Sequence, residues 1–223
     1  MYKYLQRGKC HERLNMACQD AVCGKEKNGV IVVAAADASS DSDYGKKGAE
    51  IAVESLLHLL LTYFEEIYKM KKEDIQYNAI VHVRKKQYEF CKREGIQLED
   101  VKTTFMAFAY DKKTKRTILL HLGDGYIVVK RKEEFRIISY PKNGGNIYRT
   151  YMTSTIPVGD KIHVYCGKLE GIQEIFLITD GWREFIQTDE ELPNILQKVK
   201  EYLWKGEDDL GLICANLDDE KCN

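Results

Sequence analysis

Apolar runs in this chain keep meeting an aspartate. "IFLIT" at 175–179 runs into Asp180-Gly181, "VIVVAAA" at 30–36 delivers Asp37, and "TILLHLGDG" delivers Asp124 before Gly125 and a second apolar run. "KGEDDLGLICANL" reverses the order, with Asp208 and Asp209 ahead of the run, and "LNMACQDAV" sets Asp20 beside a short apolar segment. One Asp-Gly pair is ordinary turn chemistry: Asp caps the next helix and Gly supplies a positive φ. Recurrence along the whole chain points instead to a fold that gathers carboxylates at one edge of its sheets, each held at the end of a buried strand.

Four or five carboxylates brought together without Lys or Arg partners repel, which raises their pKa values and costs stability. A divalent cation removes that conflict, and carboxylates, backbone carbonyls and water are the hard oxygen ligands that suit Mg²⁺ or Mn²⁺. Two such ions about 3.5–4 Å apart activate a bridging water and clamp a phosphoryl oxygen. The residues alone therefore read as an Asp-rich two-metal phosphohydrolase.

Periodicity places the elements. Ala49, Ala52, Val53, Leu56, Leu57, Leu60 and Phe64 have helical spacing and predict a helix from about Tyr44 to Met70. A second helix is predicted over about Glu73–Arg93, with Ile75, Ala79, Ile80, Val83 and Phe90 inward and Gly95 as its stop. Strands follow at Thr103–Tyr110, Arg116–Leu122, Tyr126–Arg131, Phe135–Ser139, Ile162–Cys166 and Glu174–Thr179, with "DKKTK" and "KEE" as hairpin connections and "PKNGGN" as a loop. Leu192, Ile195, Leu196, Val199 and Leu203 predict a third helix, Leu210–Leu217 a last strand, and "DDEKCN" a frayed tail. Strands joined mainly by short hairpins, with helices set apart from them, predict an α+β fold of antiparallel sheets.

The 223 residues, 44% hydrophobic and 31% charged, suit a single domain over 1–223 with ample core. A net charge of -1 gives no electrostatic footprint for nucleic acid or membrane. No Gly-x-Gly-x-x-Gly or Walker loop supports nucleotide binding, and the five His form no His-Glu-x-x-His pattern. The N-terminus has no apolar core of a signal peptide, and "SLLHLLL" falls short of the roughly 20 residues of a membrane span. Seven Cys without a Cys-x-x-Cys pair read as reduced thiols, mostly in the core, of a cytoplasmic protein.

The ordered series Gln19-Asp20, Asp37, "TTF" at 103–105, "LGDG" at 122–125, "LITDG" at 177–181 and "DDLGLI" at 208–213 resembles the metal-dependent protein phosphatase 2C family. The likeness is strongest to its compact bacterial branch, in which a His precedes a Gln-Asp near the N-terminus, as in "GKCHERLNMACQD". It spans nearly the whole chain. It implies a four-layer α-β-β-α sandwich of two antiparallel sheets flanked by helices, with two Mn²⁺ or Mg²⁺ ions, and a third position, at one end. It implies Asp37, Asp180 and Asp208 as metal ligands, Asp37 bridging, with the Ala38 carbonyl beside them. Asp20 would orient metal-bound waters, and Asp124 would serve the third ion together with Asp180. The implied reaction is hydrolysis of phosphoserine or phosphothreonine in a protein substrate by a metal-bound water, without a phosphoenzyme.

The chain departs from the family at several points. Asp-Gly-x-Gly is replaced by "DASSDSDYG", and Ser39 stands where a His is usual. Asn15 falls near the place of the phosphate-binding Arg, leaving Arg13 or Arg7 as substitutes. These losses keep a second reading open, a catalytically weak signalling or phosphopeptide-binding module; a hydrolase of small phosphate esters is a third. His11 reads either as the general acid or phosphate contact, or as a surface His in a polar loop. His121 reads as a strand-face residue. Ser40, Asp41, Ser42 and Asp43 read as caps for the long helix.

Overall fold

The computed structural model describes residues 1–142, 150–183, 188, 191–194, 196 and 206–218. In chain order these are β1 (Tyr2–Gln6), α1 (Lys9–Arg13), β2 (Ala21–Lys27), β3 (Val30–Ala36), α2 (Gly45–Tyr68), α3 (Lys72–Glu94), β4 (Phe105–Asp111), β5 (Arg116–Leu122), β6 (Tyr126–Arg131), β7 (Glu134–Ser139), β8 (His163–Lys168), β9 (Glu174–Ile178) and β10 (Leu210–Asn216). The strands form two five-stranded sheets, β2-β3-β4-β5-β8 and β1-β10-β9-β6-β7, with every pairing antiparallel. Helices flank them, the expected α+β architecture.

The near-continuous apolar character of β3 follows from its place. It is buried on both faces, so alternation gives way to an unbroken run. Ile31, Val33 and Ala35 face the second sheet and meet Ile127, Val129, Leu177 and Ile213. Val32, Ala34 and Ala36, with Ala107 and Ala109 of β4, face α2 and receive Ala49, Ala52, Val53, Leu56 and Leu60. Small residues on this face let the helix lie close, and each fully buried Val, Leu or Ile contributes about 1.5–3 kcal/mol. On the outer face of the second sheet, Tyr4, Val128, Phe176, Ile178 and Leu212 are covered by Trp182, Leu192 and Leu196. Leu192 and Leu196 come from the predicted third helix; its other marker positions, Ile195, Val199 and Leu203, lie outside the described residues, as do most of "PKNGGN" and of the C-terminal tail.

Several expectations need correction. β1 and α1 were not predicted: β1 is a short edge strand, "YKYLQ", whose alternation covers only Tyr2 and Tyr4. No side chain caps α2. Tyr44 is its N-cap, Asp41 pairs with Lys102 at 2.9 Å, and the Ser42 carbonyl takes the Gly45 N–H at 3.0 Å. Phe90 is half-buried, and the polar Gln87 takes the inward position on α3, donating to the Val101 carbonyl at 2.9 Å. Among the described cysteines only Cys91 is buried; Cys10 is exposed and the other four are half-buried. Gly95 does stop α3, at φ 72°. No described helix is long and apolar enough to cross a membrane.

Candidate active site

Strand register brings the aspartates to one end of the sandwich. Ala21 pairs with Ala36, so Asp20 and Asp37 leave adjacent strands side by side. Phe105 pairs with Leu122, Tyr126 with Ile178, and Ile178 with Leu212, which puts Asp124, Asp180 and the start of β10 at the same edge. Carboxylate oxygens of Asp37, Asp124 and Asp180 all lie within 4.8 Å of one another. Asp20 touches Asp37, and Asp208 lies close enough to Asp180 to raise its pKa. Asp208, expected as a direct ligand, thus stands just outside the tight triple, and Asp124, expected at an outlying third position, is inside it.

The surrounding sequence explains how the cluster is held. The Asp37 carbonyl accepts from Thr103 Oγ1 at 2.7 Å and the Thr104 N–H at 2.8 Å, which is the work of the "TTF" segment. Thr179 Oγ1 donates to Asp20 Oδ2 at 2.6 Å, and Thr150 donates to Asp124. Gly181 answers why a glycine follows Asp180: a Cβ there would meet the Asp209 carbonyl oxygen at 2.0 Å, so only glycine lets this turn lie against the start of β10. Ala38 pairs with Thr103 in an isolated antiparallel bridge and is absent from the positive-φ residues, so its Cβ is carried without strain.

The electrostatics are those of crowded acids. Burial, then Asp209 and Asp208, push Asp20 up to about 7, against its contact with Asp37 and the hydrogen bond from Thr179. Burial followed by the charges of Asp180 and Asp20 holds Asp37 well above the carboxylate range. Burial and then Asp124 and Asp208 do the same for Asp180, with Arg183 opposing, and burial raises Asp208. Asp20 Oδ1 is buried with no hydrogen-bond donor. An all-oxygen donor set, clustered, anionic and with one orphaned oxygen, fits a hard divalent cation such as Mg²⁺ or Mn²⁺.

A cleft of about 410 Å³ opens beside the cluster, lined by His11, Ser40, Asp180, Arg183 and Asp208 among others. A larger groove of about 610 Å³ runs between α2 and α3, lined by helix residues and none of the aspartates. His11 is not a surface residue: it lies in α1, 6% exposed, with Nδ1 2.8 Å from Asp209 Oδ2. Arg13 does not line the cleft and is paired with Glu207 at 2.7 Å, while Arg7 reaches the Met16 carbonyl. Asp41 and Asp43 stand outside the triple. His121 is buried between the sheets with Nδ1 2.7 Å from Ser139 Oγ, and Ser139 also meets His163 Nδ1 at 2.8 Å. Sequence reasoning missed Thr150, Thr179, Arg183 and Asp209. Thr179 and Arg183 flank Asp180 in the same short stretch, and Asp209 stands beside Asp208.

The fold and this geometry can be set against known proteins. No curated protein matches the chain. Among solved structures, a bacterial serine phosphatase aligns with TM-score 0.66 at 13% identity over 99% of this chain and 98% of its own. The serine/threonine phosphatase Stp1 from Staphylococcus aureus aligns with TM-score 0.68 at 12% identity over 98% and 94%. RsbX, solved in complex with magnesium, aligns with TM-score 0.60 at 15% identity over 97% and 94%. These likenesses show the fold. The sequence profile of protein phosphatase 2C matches residues 7–211, nearly the full length, and on that match the chain belongs to the protein phosphatase 2C family.

Proposed function

We propose that this protein is a Mn²⁺- or Mg²⁺-dependent phosphatase of phosphoserine and phosphothreonine in proteins, acting in the cytoplasm, where its free thiols stay reduced. The observation that carries the reading is the triple of Asp37, Asp124 and Asp180, with oxygens within 4.8 Å of one another. Asp37, Asp124, Asp180 and Asp208, with the Ala38 carbonyl, would hold the cations. Bound there, the cations supply Lewis acidity at the phosphoryl oxygens and neutralise the crowded carboxylates.

The chain's own groups have separate work. Thr103 and Thr104 fix the Asp37 backbone, so that its carboxylate is aimed before any ligand arrives. Asp20, with Oδ1 lacking a donor, is the acceptor that orients an attacking water. Arg183 brings positive charge to the cleft and takes the part expected of Arg13, facing the dianionic phosphate ester. His11 supplies a proton donor at the same cleft.

The test is hydrolysis of an aryl phosphate and of a phosphopeptide panel with Mn²⁺ or Mg²⁺, with and without chelator. Turnover that requires the metal supports the proposal. Full turnover in excess chelator overturns metal dependence, and phosphopeptide binding without turnover under any metal would favour a binding module.

A further inference from the structure

α3 turns polar side chains inward as well as apolar ones, and they end on carbonyls of irregular segments. Covered carbonyls outside helices and sheets need donors, and side-chain N–H groups can supply them. Gln76 donates to the Ile162 carbonyl at 2.7 Å and Gln87 to the Val101 carbonyl at 2.9 Å. Arg84 holds two carbonyls: its Nε donates to that of Thr153 at 2.6 Å and its Nη2 to that of Thr155 at 2.7 Å. Among the described residues no carboxylate pairs with Arg84. Its charge is answered by two carbonyl dipoles, and the planar fork of a guanidinium lets one side chain reach both at once.

The segment held in this way leads to the aspartates. Thr153 is fully buried and pairs with Thr103 in both directions: its N–H donates to the Thr103 carbonyl at 2.9 Å, and the Thr103 N–H donates to Thr153 Oγ1 at 3.2 Å. Thr103 Oγ1 in turn donates to the Asp37 carbonyl at 2.7 Å. Between the strap's ends Met152 and Thr155 close a turn, with the Met152 N–H on Thr155 Oγ1 and the Thr155 N–H on the Met152 carbonyl, both at 3.0 Å. At the start of the segment Thr150 donates to the Asp124 carboxylate. Residues 150–155 therefore run as a strap from α3 to two of the three clustered acids. Gln87 supports the same Thr103 from two residues upstream, at Val101, whereas Gln76 acts at Ile162, outside this chain of hydrogen bonds.

We infer that Arg84 is a positioning residue for the acidic cluster: by gripping Thr153 and Thr155 it holds the strap that fixes the Asp37 backbone through Thr103 and the Asp124 carboxylate through Thr150. This rests on the reading of the cluster as a cation site in the proposal above. A carboxylate aimed in advance loses less freedom when a cation arrives, so the contribution of Arg84 shows first in affinity for the cation.

The experiment titrates Mn²⁺ calorimetrically into wild type, Arg84→Met, Arg84→Lys and Gln76→Met, with urea midpoints taken on the metal-free proteins. Arg84→Met keeps the apolar stem and loses every donor, and is expected to weaken Mn²⁺ binding about tenfold or more. Arg84→Lys, a point charge that reaches one carbonyl at a time, is expected to fall between the two. Gln76→Met removes a buried donor from the same helix, and is expected to lower the urea midpoint while leaving Mn²⁺ affinity unchanged. That control separates positioning from plain loss of stability. Unchanged Mn²⁺ affinity in Arg84→Met, or equal weakening in Gln76→Met, would overturn the inference. Linkage supplies a second measurement on wild type: if the grip tightens cation binding, the cation tightens the grip by the same factor. Nitrogen NMR should therefore show exchange of the Arg84 Nε–H with water slowed about tenfold at saturating Mg²⁺. An unchanged rate overturns the inference even if Arg84→Met fails to fold. None of these readouts uses turnover. Wild type that binds the cation but hydrolyses no phosphopeptide would count against the phosphatase reading, and the affinities would still decide the role of Arg84. Wild type that binds neither cation would overturn both.

Discussion

Replacing Asp20 with Asn should make the metal-free protein more stable, and the size of the gain should depend on pH in a defined way. Asp20 Oδ2 accepts the Thr179 hydroxyl, Oδ1 is buried without a donor, and the carboxylate touches that of Asp37. In the Asp20→Asn variant the amide oxygen keeps the Thr179 bond and the amide N–H₂ turns a repulsive contact into a donor toward Asp37. Asp20 is pushed from 3.8 up to about 7 in the fold, so its contribution to stability is whole below pH 3.8 and is lost as pH rises to 7. That interval is about three pH units at 1.36 kcal/mol each, or about 4 kcal/mol. Asn has no charge to bury, so the variant's advantage should be near zero at pH 4 and level off at about 4 kcal/mol above pH 7. For a chain of this size that is a Tm rise of about 8–16 °C. Calorimetric melts in excess chelator at pH 4, 6 and 8 read it directly. An equal or lower Tm at pH 8, or a gain independent of pH, would refute the argument from crowded charge. Mn²⁺ should narrow the gap, because cations relieve the same repulsion in wild type.

Other outcomes follow from the same geometry. Asp37→Ala and Asp180→Ala should each lower kcat by orders of magnitude and abolish the Mn²⁺-induced stabilisation, which in wild type should reach about 2.7 kcal/mol at a hundredfold excess over Kd; a retained metal-dependent Tm shift would remove that residue from the site. Ala38→Gly should leave activity unchanged or destabilise by up to about 1 kcal/mol in urea titrations, because Ala38 is not at positive φ; a gain in stability would reveal strain. Burial, then His163, pull His121 down to about 3, so it opposes stability increasingly as pH falls from 6.5 toward 3. His121→Gln should therefore gain about 3 kcal/mol relative to wild type between pH 6.5 and 4.5 in urea midpoints, and parallel pH curves for the two proteins would show that His121 does not titrate this way.

How far the sequence foretold this molecule depended on range. Elements whose pattern is local were legible: the spacing of Ala49 to Phe64 and the position of Gly95 place α2 and α3 within a few residues of where they lie. The aspartate edge was legible too, because β3, β5 and β9 each announce their ends in sequence. What escaped depends on partners far away in the chain. β1 forms because β10 is beside it, not because "YKYLQ" has strong strand propensity. Asp209 looks like the twin of Asp208 until Gly8, His11 and Gln19 are seen around it. Asn15 stands near the place expected of an Arg, and the substitute Arg13 is held by Glu207, while Arg183 reaches the cleft from the other end of the chain.

The position of β10 between β1 and β9 governs the order in which the protein can be completed during synthesis. The sheet β2-β3-β4-β5-β8 draws on residues 21–168 alone and is available while the remainder is still on the ribosome. The other sheet is not: β1 emerges first yet has no neighbour until residues 210–216 arrive, a closure across the whole chain that is costly in entropy and slow. The same late segment carries Asp208 and, in Asp209, the acceptor of the Gly8 and Gln19 N–H groups. A partly made chain therefore has Asp37, Asp124 and Asp180 but not the cleft wall formed by Glu207 and Asp208. Such a chain exposes unpaired strand edges, and the acidic edge is completed only once the final strand has been made.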